Sequence, residues 1–135
     1  MGRLLGLDYG EKRIGLAVSD ELGLTTRPLE ALQVTSKKQV LQDLVDLIDE
    51  YKIERLVVGL PLSLDGTIGK QVQKVQEFML ELAGLAECPI ETVDERYTSE
   101  QAKDILGIPG RKLARNKGLI DSQAAQLILS SYLNR

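Results

Sequence analysis

Three acidic positions in this sequence stand where a globular core does not ordinarily accept charge. Asp8 ends the apolar run Leu4–Leu7 in "LLGLDYGEKRIGLAVSD", just ahead of a glycine-bounded turn. Asp94 and Glu95 stand where the strand-like segment "IETVDE" ends. Asp121 shares the spacing i, i+3, i+4, i+7 and i+11 with Ala124, Ala125, Ile128 and Tyr132, which puts it on the apolar side of a helix. A carboxylate on a buried side is costly unless it is hydrogen-bonded, ion-paired or bound to a metal. Each acid also has a plainer reading: Asp8 as a turn residue before glycine, Asp94 or Glu95 as a strand-end charge paired with Arg96, and Asp121 as a cap or first-turn acid favoured by the helix dipole. Taken together they suggest more. If the three converge, their mutual repulsion is relieved by divalent cations, and hard oxygen donors suit Mg²⁺ or Mn²⁺. Two such ions about 3.5–4 Å apart stabilise the attacking and leaving oxygens of a phosphodiester displacement.

Composition removes competing chemistries. The 135-residue chain has no histidine, so Ser-His-Asp and Cys-His nucleophile systems and imidazole-ligated zinc are excluded. Its one cysteine, Cys88, has no thiol partner within the chain and reads as inert packing. With 43% apolar and 27% charged residues, residues 1–135 fit a single domain with a real core. There is no run of about 18 apolar residues for a membrane span and no leader pattern, so a soluble, cytoplasmic protein with no membrane partner is expected. The net charge of −3 is unevenly spread. Residues 1–95 carry 10 basic and 17 acidic side chains, whereas residues 96–135 carry 7 basic and 3 acidic ones. A polyanion would meet the last third most easily.

The elements that must position these acids can be read from periodicity. Strand signals cover Leu4–Tyr9, Ile14–Ser19 and Leu29–Val34, with links short enough for an antiparallel meander. Residues Ser36–Lys52 turn helical, with Val40, Leu44, Leu47, Ile48 and Tyr51 on one face and a capping pair in Ser36 and Gln39. "RLVVGLP", Arg55–Pro61, reads as a buried parallel strand, and the "LPLSLDG" loop with Asp65 and Gly66 follows it. A second helix spans Gly69–Ala83, with Val72, Val75, Phe78, Met79 and Leu82 inward, then the strand "IETVDE". A short helix from Thr98, a loop over residues 107–118 and a last helix from about Leu119 to Leu133 complete a βββαβαβαα order in one α/β domain. With the first strand beside the fourth and the fourth beside the fifth, the ends of strands one and five point the same way, and the last helix can pack over them.

The segments "LGLDYGEKRIGLAVSD", "VVGLPLSLDGTIG", "VDERYTS" and "KGLIDSQAAQLIL" resemble, in order and spacing, those of the YqgF/RuvX family, Holliday-junction-resolvase-like proteins also described as pre-16S ribosomal RNA nucleases. The resemblance covers essentially the whole chain. It implies a ribonuclease H-like fold with a five-stranded mixed sheet ordered 3-2-1-4-5 and flanked by helices. It implies Asp8, Glu95 and Asp121 as the catalytic, metal-holding acids, Mg²⁺ or Mn²⁺ as a pair of ions, and a precursor rRNA or branched DNA as substrate. Ribosomal precursor particles are the implied partner, and the protein is expected as a monomer or weak homodimer. The related bacterial resolvases carry an acid on the fourth strand, where this chain has Gly59, so the acid after the fifth strand stands in its place.

Two other functions fit parts of the pattern. "GLDYGEKRIGLAVSD" also resembles the phosphate-binding turn of actin- and hexokinase-like proteins, which hold nucleotide between two such domains where 135 residues supply one. A catalytically silent nucleic-acid-binding assembly factor is the other, and retention of all three acids speaks against it.

Cations accompany the acids. Arg111, Lys112, Arg115 and Lys117 form a run free of acids just ahead of Asp121, and Lys117, four residues before it, can reach a substrate phosphate or pair with Asp121 itself. Lys12, Arg13 and Arg96 lie close in sequence to the other acids. "GRKLARNKG" has few apolar residues to anchor it, and is expected to be a mobile loop that grips phosphate. Replacing Arg111, Lys112 and Arg115 with Ala is expected to weaken binding of every nucleic acid alike, and to flatten log affinity against log salt by roughly 0.7–0.9 for each phosphate no longer engaged. Fluorescence anisotropy at several salt concentrations measures both effects.

Overall fold

The computed structural model describes residues 2–60, 69–94 and 117–134, and for residues 117–121 the helix backbone alone. Strand β1 (Arg3–Asp8) is followed by β2 (Arg13–Ser19) and β3 (Thr26–Gln33), then helix α1 (Lys37–Tyr51), β4 (Ile53–Leu60), α2 (Lys70–Ala83), β5 (Ile90–Asp94) and α3 (Lys117–Leu133). The sheet is ordered β3-β2-β1-β4-β5, as expected. β1 pairs antiparallel with β2 and parallel with β4, and β4 pairs parallel with β5. The Asp65–Gly66 turn and the short helix from Thr98 lie outside the described residues, as do Glu95, Arg96, Arg111, Lys112 and Arg115. Among the described residues no helix is long and apolar enough to cross a membrane.

Alternation along the central strands builds two apolar layers. On one face Leu5, Leu7, Ile14, Leu16, Leu56 and Val58 meet α1 through Val40, Leu44 and Ile48 and α2 through Val75, Phe78 and Leu82. On the other, Leu4, Ala17 and Val57 meet α3 through Ala125, Ile128, Leu129 and Tyr132. Each large aliphatic side chain fully buried in this way contributes about 1.5–3 kcal/mol.

Helix α1 starts where expected, but its cap is half a box. Ser36 Oγ accepts the Gln39 backbone N–H at 3.1 Å, whereas the Gln39 amide turns forward to Asp43 Oδ1 at 2.9 Å instead of back to Ser36. Its end is set by Lys52, which holds φ 53° and returns its N–H to the carbonyls of Ile48 and Asp49. Of the apolar stripe expected on α1, Leu47 and Tyr51 are only partly buried, as is Met79 on α2.

The closest helix-to-sheet approach is that of α3. A Cβ placed on Gly6 would stand 2.9 Å from the Ala125 carbonyl oxygen and 3.0 Å from Leu129 Cβ. Beside Gly6 on β2 lies Ala17, fully buried. Small residues on both sides let the helix backbone rest almost directly on the strand. A polar clasp holds its far end: Arg55 Nη1 donates to the Tyr132 hydroxyl at 2.6 Å and lies 3.7 Å from Glu91. Since the Ala125 backbone cannot yield without moving the helix, Gly6→Ala is expected to cost about 1–3 kcal/mol, read as a lower midpoint in urea at unchanged slope.

Candidate active site

Asp8 stands on the α3 face. It is the last residue of β1, half-buried, and by strand alternation it shares that face with Leu4 and Gly6. Its antiparallel partner on β2 is Gly15. On β4 the pair Leu7–Val58 is followed by Gly59, itself the partner of Val93 on β5. The row Gly15, Asp8, Gly59, Val93 therefore crosses four strands with one polar side chain in it. Glycine on either side places no side chain beside Asp8 on the two neighbouring strands. The β2–β3 ladder slips its register between Ile14 and Leu16, beside Gly15, and such bulges commonly border active sites.

Helix α3 approaches this row from one end. Gly6 lies under Ala125, and Arg55, the partner of Leu4, lies at Tyr132, so α3 runs antiparallel to β1 and its N-terminal end heads towards Asp8. Asp121 stands one helical turn before Ala125. Because α3 begins at Lys117 rather than near Leu119, Asp121 is its fifth residue and falls outside the first turn. The reading of Asp121 as a cap or first-turn acid is thus corrected. Lys117 opens the helix, one turn ahead of Asp121.

The two candidate acids of β5 are separated by its pleat. Val93 packs with the α3 layer, while Ile90 packs with the α1–α2 layer. Asp94 has the parity of Ile90, so it projects to the face opposite Asp8. Glu95 lies outside the described residues. Among the described residues no three Asp, Glu or Cys side chains come together as metal ligands. The oxygen chemistry of the Asp8 carboxylate suits a hard cation.

The neighbouring cations differ in placement. Arg13 opens β2 and shares the face of Gly15 and Ala17, two residues from the partner of Asp8. Lys12 is exposed in the turn, its carbonyl accepting the Val34 N–H at 2.9 Å. Within the same turn, Gly10 faces the Arg13 carbonyl so closely that a Cβ would stand 2.6 Å from it. Glu11 is ion-paired with Lys74 on α2, and the hydrogen bond from that ammonium holds the Glu11 carboxyl below its usual value. That pair moors the turn to the α2 side. Sequence reasoning missed the contributions of Gly6 and Gly15; glycine inside a strand pattern, where another backbone comes close, was the available signal.

The whole chain, residues 2–135, matches the RuvX family model, described as Holliday junction resolvase. A protein of Desulforudis audaxviator named "Putative pre-16S rRNA nuclease" is 42% identical over 132 residues, covering 98% of this chain and 94% of the relative. One of the same name from Trichormus variabilis is 43% identical over 130 residues, 96% of this chain and 86% of the relative. Among solved structures, Thermus thermophilus RuvC in complex with Holliday junction substrate aligns with a TM-score of 0.60 at 16% identity, over 98% of this chain and 94% of that one. The fowlpox virus resolvase in complex with Holliday junction DNA gives 0.61 at 12% identity, over 98% and 97%. The fold is ribonuclease H-like, as the sequence implied.

An acid held for ligation rather than for packing should be dispensable to the fold. If the three acids converge, Asp8→Asn, Glu95→Gln and Asp121→Asn are each expected to melt in chelator at the parent temperature or above it, since each then removes charge from a repelling set. Calorimetry of the three measures this, and a clear loss of stability in all of them marks structural pairing instead.

Proposed function

This chain belongs to the RuvX family of Holliday junction resolvases and pre-16S rRNA nucleases, and on that premise we propose that it is a metal-dependent endonuclease whose site is formed by Asp8, Glu95 and Asp121. The observation that carries this reading is the placement of Asp8 as the one polar side chain of a glycine-walled row, with the N-terminal end of α3 directed towards it. Glu95 is preferred to Asp94 because Asp94 belongs to the face opposite Asp8.

The three acids would hold Mg²⁺ or Mn²⁺, two ions in the preferred form, which when bound supply an activated water and stabilise the leaving oxygen of the phosphodiester. The chain itself has three tasks. Asp8 and Asp121 are carried on strand and helix backbone. Arg13, on the face of Asp8, and Lys12 in the adjoining turn take phosphate oxygens on one side of the site. Arg96, Arg111, Lys112, Arg115 and Lys117 are the further cations proposed to contact phosphate, positioning the backbone without reading its sequence. With no histidine present, proton transfers fall to water and carboxylates.

Precursor 16S rRNA ends, within ribosomal precursor particles in the cytoplasm, are the proposed substrate, with branched DNA as the second. The family holds both, and the relatives at 42% and 43% identity bear the rRNA name. One cut at an RNA end needs one copy of the chain; paired cuts across a junction need two. Neither the nucleotide-binding reading nor a silent assembly factor is favoured by a whole-chain match to nuclease relatives.

Purified protein and its Asp8→Asn variant are to be incubated with a precursor rRNA end, a four-way junction, duplex DNA and single-stranded RNA. Cleavage is expected with Mg²⁺ or Mn²⁺, not with Ca²⁺, whose looser coordination spoils in-line geometry, and not in the variant. Full activity in excess EDTA overturns the metal mechanism, and binding without cleavage under all conditions assigns the chain to the silent class.

A further inference from the structure

Five strands at about 4.8 Å spacing make a sheet roughly 24 Å wide, whereas two helices about 10 Å in diameter cover roughly 20 Å of it. On the α1–α2 face the shortfall appears at β3, an edge strand that α1 does not fully cover. It leaves a groove of about 540 Å³ between the two elements. Its floor is apolar, made by Leu16, Leu29, Leu32, Leu47 and Tyr51. This is why Leu47 and Tyr51 stay only partly buried although they continue the inward stripe of α1.

The rim is acidic. Asp43, Asp46 and Glu50 line it from α1, and Glu30 from β3. Among the described residues none of the four carboxylates is ion-paired; Asp43 and Asp46 accept only the amides of Gln39 and Gln42, each at 2.9 Å. Arg27 brings a cation to this end, its guanidinium 5.8 Å from the centroid of the Tyr51 ring. An apolar floor beneath unpaired carboxylates repels a nucleic acid backbone and fits its electrostatic opposite, a chain bearing apolar side chains between lysines or arginines. The groove also lies on the face opposite Asp8, so a ligand in it leaves the proposed active site clear.

We propose that the β3–α1 groove is a docking site for a basic amphipathic segment of a partner protein, seated while nucleic acid occupies the α3 face. The docking inference goes beyond the nuclease reading, and its simultaneous occupancy with nucleic acid rests on that reading.

The probe is a fluorescein-labelled helical peptide of Leu and Lys, about 18 residues long, with a scrambled Lys–Ser peptide of equal charge as control. The variant is Asp46→Lys with Glu50→Lys. Both residues are exposed and lie in the C-terminal half of α1, where cations suit the helix dipole, so folding is preserved and circular dichroism checks it. Saturable anisotropy binding of the Leu–Lys peptide, weakened about tenfold or more in the variant, is expected. The Lys–Ser peptide should bind much more weakly, and a four-way junction should not compete. Equal binding by parent and variant overturns the proposal. So does equal binding of the two peptides, which marks a merely charged surface, and so does competition by the junction. Self-association in sedimentation equilibrium that disappears in the variant assigns the groove to a second copy and overturns the partner assignment. The readout is independent of cleavage.

Discussion

Everything in the proposed site depends on how near α3 can come to β1. The distance is set by what is missing where they touch: no side chain on Gly6, and only methyl groups on Ala17 and Ala125. A larger residue at any of the three would lift the helix and carry the Asp121 backbone away from the end of β1. Close packing on the far side of the sheet, by contrast, rests on large aliphatic side chains from β1, β2, β4 and two helices. The two layers have different duties. One supplies most of the apolar burial, and the other fixes a separation.

The pleat then decides which charges share a face. Asp8, Arg13 and Gly59 take the α3 side, whereas Asp94, at the end of the edge strand β5, takes the other. On the α1–α2 side the acids gather at the β3 margin instead, away from Asp8. Among the described residues the central carboxylate shares its face with Arg13, and an acidic groove lies on the face behind it.

Much of this was legible in the residues. The order of strands and helices follows from period-2 and period-3.6 patterning, and the placement of Asp8 at a strand end follows from the break between Leu7 and Gly10. The helical side occupied by Asp121 was readable from the alanines that share it. Less legible were relations that depend on tertiary register. Nothing local distinguishes Asp94 from Glu95, because parity matters only once Val93 is known to face α3. Gln39 shows the same limit, since a capping-box residue with an acid four positions on has two partners and takes the nearer side chain. Leu47 and Tyr51 fit the inward stripe well by sequence; that the sheet outreaches its helices at β3 is a matter of widths, which periodicity does not carry.

The clasp of Arg55, Tyr132 and Glu91 gives α3 a mechanical character. The helix is pinned at its C-terminal end, seated at Ala125 and tied to β3 by Ser122, whose Oγ donates to the Leu29 carbonyl, so the hold reaches the residue next to Asp121. From the Tyr132 clasp to Ser122 is ten residues, about 15 Å of helix, fastened at both ends. A beam held at both ends resists tilt, and the backbone of Asp121 follows directly from the second fastening. Two hydroxyls, of Tyr132 and Ser122, thus set the line along which the helix backbone runs towards the end of β1.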